Sequence, residues 1–376
     1  MNLVPGPGNA KRTGYLELFF DLVFVFAVTQ LITTLEHDHQ ATGWFHVALL
    51  GWLVWWAWSQ FTWAGNAIDL DRRTTRVALL AVTAVTLLFA AALPDAFAAG
   101  GAGLRFAVPY VVVRLGGLAL YWTGLRAEPE HQAALRSYLP VAVIPPVVVL
   151  AGAVSPPSVR PWVWLGAVGL DVASALAAGR GEFRVAPAHF AERHALFVII
   201  ALGEAVVGIG AVLAGAEPGP LLAATAVAAF VVVASQWWGY FDWVQEAAEA
   251  RLTGEPDLRR RGHLARDLFT FLHFPIVLGT VFVAYGVEEA LLHPGRPLDT
   301  AAQVALGGGL VLFLGGFVLG NARAGRPLLV ERVAAAIIVV ATIALLGQRL
   351  DAYVVVGILA VGLVAATVVE TFRRSR

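Results

Sequence analysis

The sequence predicts an all-α integral membrane protein of about twelve transmembrane helices, built as two parallel six-helix repeats with both termini cytoplasmic. Composition is the first observation behind this expectation. Hydrophobic residues make up 59% of the chain and charged residues 14%, with a mean hydropathy of +0.74. Soluble domains run at about 45–50% apolar and about 25% charged. The second is a series of apolar runs, each near the roughly 20 residues that a helix needs to cross the hydrocarbon. The third is an internal echo. ELFFDLVFVFA from Glu17 is matched by ERHALFVIIAL from Glu192, and WAWSQF from Trp56 by VVASQW from Val232. The two matches share one register to within a single residue. A basic run follows each second span, DLDRR from Asp69 and DLRRR from Asp257, with an insertion in the later loop.

The expected spans are 14–35, 43–65, 75–98, 103–124, 134–155, 160–179, 189–214, 219–246, 265–290, 300–320, 328–347 and 351–372. Residues 1–179 then form the N-terminal repeat and 180–376 the C-terminal one, a single membrane unit with no soluble domain. Pro145 and Pro146 should kink or break the fifth span. Gly307, Gly308, Gly309, Gly315 and Gly316 let the tenth pack closely.

Basic residues set the sidedness. With the N-terminus inside, the inner loops and ends collect Lys11, Arg12, Arg72, Arg73, Arg76, Arg126, Arg136, Arg180 and Arg184. Arg251, Arg259, Arg260, Arg261, Arg266, Arg323, Arg326, Arg332, Arg373, Arg374 and Arg376 join them. The outer loops hold only Arg105, Arg160, Arg296 and Arg349. This is the positive-inside pattern of a cell-membrane (inner, cytoplasmic membrane) multi-pass protein. Because six spans per half is an even number, both halves insert the same way up. Lys11 and Arg12 precede a stretch broken by Glu17 and Asp21, so no cleavable signal is expected there.

The chain has no cysteine and a formal net charge of zero. Disulfides and thiolate chemistry are thereby excluded, and a nucleic-acid partner is not suggested. No cofactor is expected. The expected partners are the lipid bilayer, protons and an unidentified small solute.

The blocks that repeat also resemble a known family. ELFFDLVFVFAVTQ from Glu17 is similar to the opening motif of the bacterial low temperature requirement A family. HFAERHALFVIIALGE from His189 resembles its second block, and HFPIVLG from His273, with Gly286 beyond, its third. The resemblance implies an integral membrane protein of a family named for a cold-growth phenotype. It implies no particular substrate or mechanism.

Ionisable residues at membrane depth are the candidates for chemistry, since a charge at mid-bilayer costs roughly 2.5–3.5 kcal/mol on insertion scales. Glu17 and Asp21 share one face near the start of span one. Solvated helix-start carboxylates are the plainer account of them. Glu204 lies far along span seven, where its carboxyl is neutral by default and ionises only when water or a cation arrives. It suits proton coupling, or else a hydrogen bond to a neighbouring helix. His273 stands two residues before Pro275, which frees a backbone carbonyl and suits a relay, or a satisfied helix histidine. Arg193, beside Glu192, comes within reach of Glu17 or Asp21 if spans one and seven meet, and such pairs could form a cytoplasmic gate; the plainer account is an arginine lying at the interface. Arg114 and Asp171 read as a structural charge pair.

Thr29, Gln30, Ser59, Gln60, Ser235 and Gln236 are candidates for a polar path. His189 and His194 diverge around a helix, so they and Glu192 make a poor metal site. His37 and His39, with Glu36 and Asp38, make a slightly better surface metal site, with solvated side chains as the plainer account. Trp52, Trp55, Trp56 and Trp58 circle the second span, with packing as the default and a stacking platform as the minor alternative. Trp237, Trp238 and Trp243 end the eighth. No catalytic residue set emerges.

Three functions fit. The first is a proton-coupled secondary transporter. The second is an intramembrane enzyme or a cofactor- or lipid-binding protein using buried carboxylates and histidines. The third is a non-transporting membrane component for cold tolerance.

Overall fold

The computed structural model describes residues 13–66, 68, 72–125, 136, 138–178, 185–242 and 244–374. Lys11, Arg12, Asp69, Arg126, Arg180, Arg184, Trp243 and Arg376, named above, lie outside the described residues. Among the described residues the regular elements are helices, and strand-like pairing is limited to an isolated bridge between Pro297 and Asp351.

In chain order the helices are α1 (Tyr15–His37), α2 (Ala41–Gly65), α3 (Arg73–Ala91), α4 (Ala102–Leu125), α5 (Ile144–Ala153), α6 (Arg160–Ala178) and α7 (Pro187–Gly215). They continue as α8 (Pro220–Phe241), α9 (Val244–Thr253), α10 (Leu258–Ala265), α11 (His273–Leu292), α12 (Thr300–Arg323), α13 (Val330–Leu346) and α14 (Ala352–Arg374). A π-helical turn, Arg266–Phe271, joins α10 to α11. Asp257 accepts from the Arg259 and Arg260 N–H groups at the start of α10. The Arg260 N–H bond is the main reason its carboxyl sits below the usual range.

Among the described residues eight stretches are long and apolar enough to cross a membrane. They lie on α1, α3, α4, α7, α8, the continuous Leu258–Leu292 segment, α12 and α14. The other four expected runs are helical but fall short of that standard. In 134–155 the apolar helix Tyr138–Ala153 is short; it breaks at Val143 and restarts with Pro145 and Pro146 in its first turn. Helix α13 has 17 residues, and α6 carries Asp171 in its middle. Helix α2 is long, with 25 residues, but its tryptophans, Ser59 and Gln60 make it less apolar. Gln60, Trp56 and Trp58 serve interior hydrogen-bond networks.

The chain divides into two compact units, Met1–His194 with Glu249–Arg266, and Ala195–Ala248 with Asp267–Arg376. In the first, α2 packs against α1, α4 and α6 and is buried on nearly every side. Around it α1 meets α3, α3 meets α4, α4 meets α5, and α5 meets α6. In the second unit α11 is the enclosed helix; it packs on α12, α12 on α13, α13 on α14, and α14 on α8. Large apolar side chains stand out on the peripheral helices, among them Leu88 on α3, Val227 on α8 and Val361 on α14, the last 71% exposed. Such faces are at home in hydrocarbon, where the helical backbone already satisfies its own polar groups.

Glycines allow α11 and α12 to approach closely. A Cβ on Gly309 of α12 would lie 2.7 Å from the Gly279 carbonyl oxygen and 2.9 Å from the Val283 nitrogen of α11. Gly308 faces open space. Gly309→Ala is therefore expected to lower the melting temperature, at an overpacking cost of about 1–3 kcal/mol. Gly308→Ala should leave it unchanged, and thermal unfolding in detergent compares the two.

Candidate functional site

In the first unit, two helix starts bring four ionisable side chains together. Glu17 and Asp21 are one turn apart on α1, and His189 and Arg193 are one turn apart on α7. His189 Nε2 lies 3.1 and 3.2 Å from the two Glu17 carboxylate oxygens. Arg193 donates from Nη1 to Asp21 Oδ2 at 2.5 Å and from Nη2 to Oδ1 at 2.8 Å. Both pairings have the same sequence separation of 172, so these two helix segments run in the same direction. All four side chains are buried: Glu17 is 4% exposed, Asp21 2%, His189 0% and Arg193 1%.

The surroundings fit the charges. Trp58 Nε1 donates to Asp21 Oδ1 at 2.8 Å, and the Arg193 guanidinium sits over the Trp58 ring at 5.5 Å, a cation–π contact. The Gly14 N–H donates to Glu17 Oε2 at 2.9 Å. At the end of α2, a Cβ on Gly65 would come 2.9 Å from Glu17 Oε1, so the glycine leaves room for the carboxylate. A carboxylate only accepts hydrogen bonds, so His189 Nε2 carries its proton. His189 Nδ1 is buried and finds no hydrogen-bond partner among the described residues. Glu192 points elsewhere and accepts from the Thr13 N–H at 3.0 Å.

A second network in the same unit is closed. Arg114 donates to Asp171 from both terminal nitrogens at 3.0 and 2.8 Å, to the Tyr110 hydroxyl at 2.7 Å and to Gln60 Oε1 at 2.7 Å. Gln60 Nε2 in turn donates to the Arg114 carbonyl at 2.7 Å. Trp56 also hydrogen-bonds Asp171. Trp56 and Trp58 are two residues apart, about 200° around the helix. One indole N–H therefore serves each Arg–Asp pair, on opposite sides of α2. This accounts for two of the tryptophans that circle the helix instead of marking one face.

In the second unit His273 Nδ1 lies 2.8 Å from the Leu268 carbonyl of the π turn, and its Nε2 is 2.9 Å from the Tyr240 hydroxyl. The carbonyl requires a proton on Nδ1, so in the neutral ring Nε2 accepts from Tyr240. Arg332 donates from Nε to Glu370 at 3.0 Å and from Nη2 to the Gly239 carbonyl at 2.8 Å, above the Phe317 ring. Arg332, counted by sequence among the loop bases, is buried. Glu204 is buried on the second-unit part of α7. Of the polar-path candidates, Thr29 and Ser235 turn back to the Val25 and Val231 carbonyls. Ser59 is buried, Gln30 is half-buried and Gln236 is buried. Among the described residues no three His, Asp or Glu side chains converge as a metal site.

Sequence reasoning missed four interactions: His189 as the partner of Glu17, Trp58 as the donor to Asp21, Tyr240 on His273, and the Arg332–Glu370 pair. The signal for the first was present. His189 and Arg193 repeat the four-residue spacing of Glu17 and Asp21.

Helices with apolar outer faces around buried ionic networks define a multi-pass helical membrane protein. The family model for the bacterial low temperature requirement A protein matches residues 12–369. The chain belongs to that family. It is 31% identical over 323 residues to the uncharacterized protein RA0937 of Rhizobium meliloti (strain 1021), covering 82% of this chain and 76% of that protein. No solved structure matches it.

Proposed function

We propose that this protein is a proton-coupled secondary transporter of a small solute, with Glu17, Asp21, His189 and Arg193 as its proton site. The charge balance of that cluster carries the reading. Two carboxylates and one guanidinium leave one net negative charge while His189 is neutral, and an uncompensated buried charge is expensive. One proton, taken at His189 Nδ1 or on a carboxylate, restores neutrality. Such a site holds or releases a single charge according to what else is bound. It also gives the expected cytoplasmic gate a chemistry, since separating α1 from α7 would expose both ion pairs.

The reading takes twelve crossings, both termini in the cytoplasm and two parallel repeats. The like direction of α1 and α7 at Glu17–His189 and Asp21–Arg193 supports the parallel arrangement. So does the order of helix pairing, in which α3–α4–α5–α6 is echoed by α11–α12–α13–α14. Glu204, deep on α7, serves as a second coupling carboxyl and His273 as a relay. The Glu17–His189 pair also favours a second reading, an intramembrane acid–base enzyme acting on a lipid-phase substrate.

Proton flux into proteoliposomes under an imposed gradient, with a panel of small solutes, separates the two. Solute-dependent flux in the wild type, lost in Glu17→Gln and in Glu204→Gln while both variants remain folded, is the expected result. Wild-type flux in Glu204→Gln would remove that residue from the mechanism. No flux under any condition would sink the transporter and turn the search to lipid turnover.

A further inference from the structure

Gln236 is the repeat-mate of Gln60, and the contrast between the two is informative. Gln60 uses both ends of its amide on Arg114. Gln236 is 1% exposed, yet neither Nε2 nor Oε1 has a hydrogen-bond partner among the described residues. A buried amide group left without a partner carries the full penalty of its desolvation. Beside it, within the second unit, lies a small cavity whose wall includes Ser235, Gln236, Arg332, Thr367 and Glu370. It accommodates the centre of a water-sized sphere over about 20 Å³. A single water needs about 10–15 Å³ by that measure, and two to four polar partners.

We infer that this cavity is a binding site for an internal water molecule, which joins Gln236 to the Arg332–Glu370 ion pair. The Gln236 amide offers it both a donor and an acceptor. Glu370 and the Thr367 hydroxyl oxygen offer acceptors, since Thr367 spends its proton on the Leu363 carbonyl. Arg332 supplies positive charge on the same wall. A halide of similar size would meet the Glu370 carboxylate, and an organic solute would not fit. The first unit thus holds a glutamine, an arginine and an acid in direct contact. The second holds the same three chemistries around a water. The inference rests on the cavity and the amide, and stands whether or not the protein transports anything.

The site is testable by X-ray radiolytic footprinting of the full chain in nanodiscs, because ordered water generates hydroxyl radicals beside the residues it touches. Phe313 and Leu314 line the cavity and are only 2% and 7% exposed. They should be oxidised severalfold more than the fully buried Phe106, with the excess lost in Gln236→Leu. Should that variant fail to fold, Ala366→Leu closes the cavity from another wall and should remove the same excess. Labelling of Phe313 and Leu314 no higher than that of Phe106 in the wild type would overturn the site. An excess that survives both substitutions would overturn it as well.

Discussion

Asp171→Ala should be among the most damaging single substitutions in the chain, with Arg114→Ala close behind. Each leaves an ionic group buried in the first unit without its partner, and breaking a buried pair in this way costs about 3–5 kcal/mol. Gln60, Tyr110 and Trp56 would then be arranged around a charge that nothing compensates. The expected outcome is loss of monodisperse protein on size exclusion, or a large fall in melting temperature in detergent. Replacing both partners, as Arg114→Met with Asp171→Leu, should recover most of the loss, because buried pairs are often matched by apolar residues of similar volume. It should also leave solute-dependent flux largely intact. A double variant as unstable as the singles would mean that the network has a role beyond neutralising itself.

How much of this was legible in the sequence depended on whether partners share an obvious spacing. Arg114 and Asp171 could be paired in advance because they are opposite charges deep in one half, with little else there to neutralise them. Glu17, Asp21 and Arg193 could be placed near one another because the repeat suggested that spans one and seven meet. His189 was weighed with Glu192 and His194 as a metal ligand, and the angle between them is wrong for that. Its relevant neighbour was Arg193, one turn on. The indole donors were not readable, since a tryptophan inside an apolar run carries no mark of which ring finds a carboxylate. Arg332 looked like a loop base because it stands near a helix start; its length lets the guanidinium reach inward to Glu370. The depth of Glu204 followed from counting residues along its span, but depth alone names no partner. The span count met a related limit. Helix α2 is shielded by α1, α4 and α6, so it can carry polar residues that a lipid-facing helix could not.

Charge counting in the Glu17–Asp21–His189–Arg193 cluster predicts an order of effects that packing alone does not. Arg193→Met leaves two buried carboxylates with a single histidine beside them. It should destabilise by about 3–5 kcal/mol, as the loss of one partner of a buried pair does, and no flux is expected. Asp21→Asn works the other way. Glu17 and Arg193 then balance, and the site is neutral without an added proton. This variant should fold and insert, keep most of its thermal stability, and yet take up no proton with solute. Combining Asp21→Asn with Arg193→Met leaves Glu17 and His189 alone, again one proton short of neutrality. Proton-coupled flux should therefore return in part, and stability should exceed that of Arg193→Met. Flux assays and melting temperatures on the three variants and the wild type decide the matter. If Asp21→Asn transports protons normally, the cluster is a structural clamp between α1 and α7 and the coupling lies elsewhere. If the double variant is as inert as either single, Arg193 acts directly on the solute instead of setting the charge of the site.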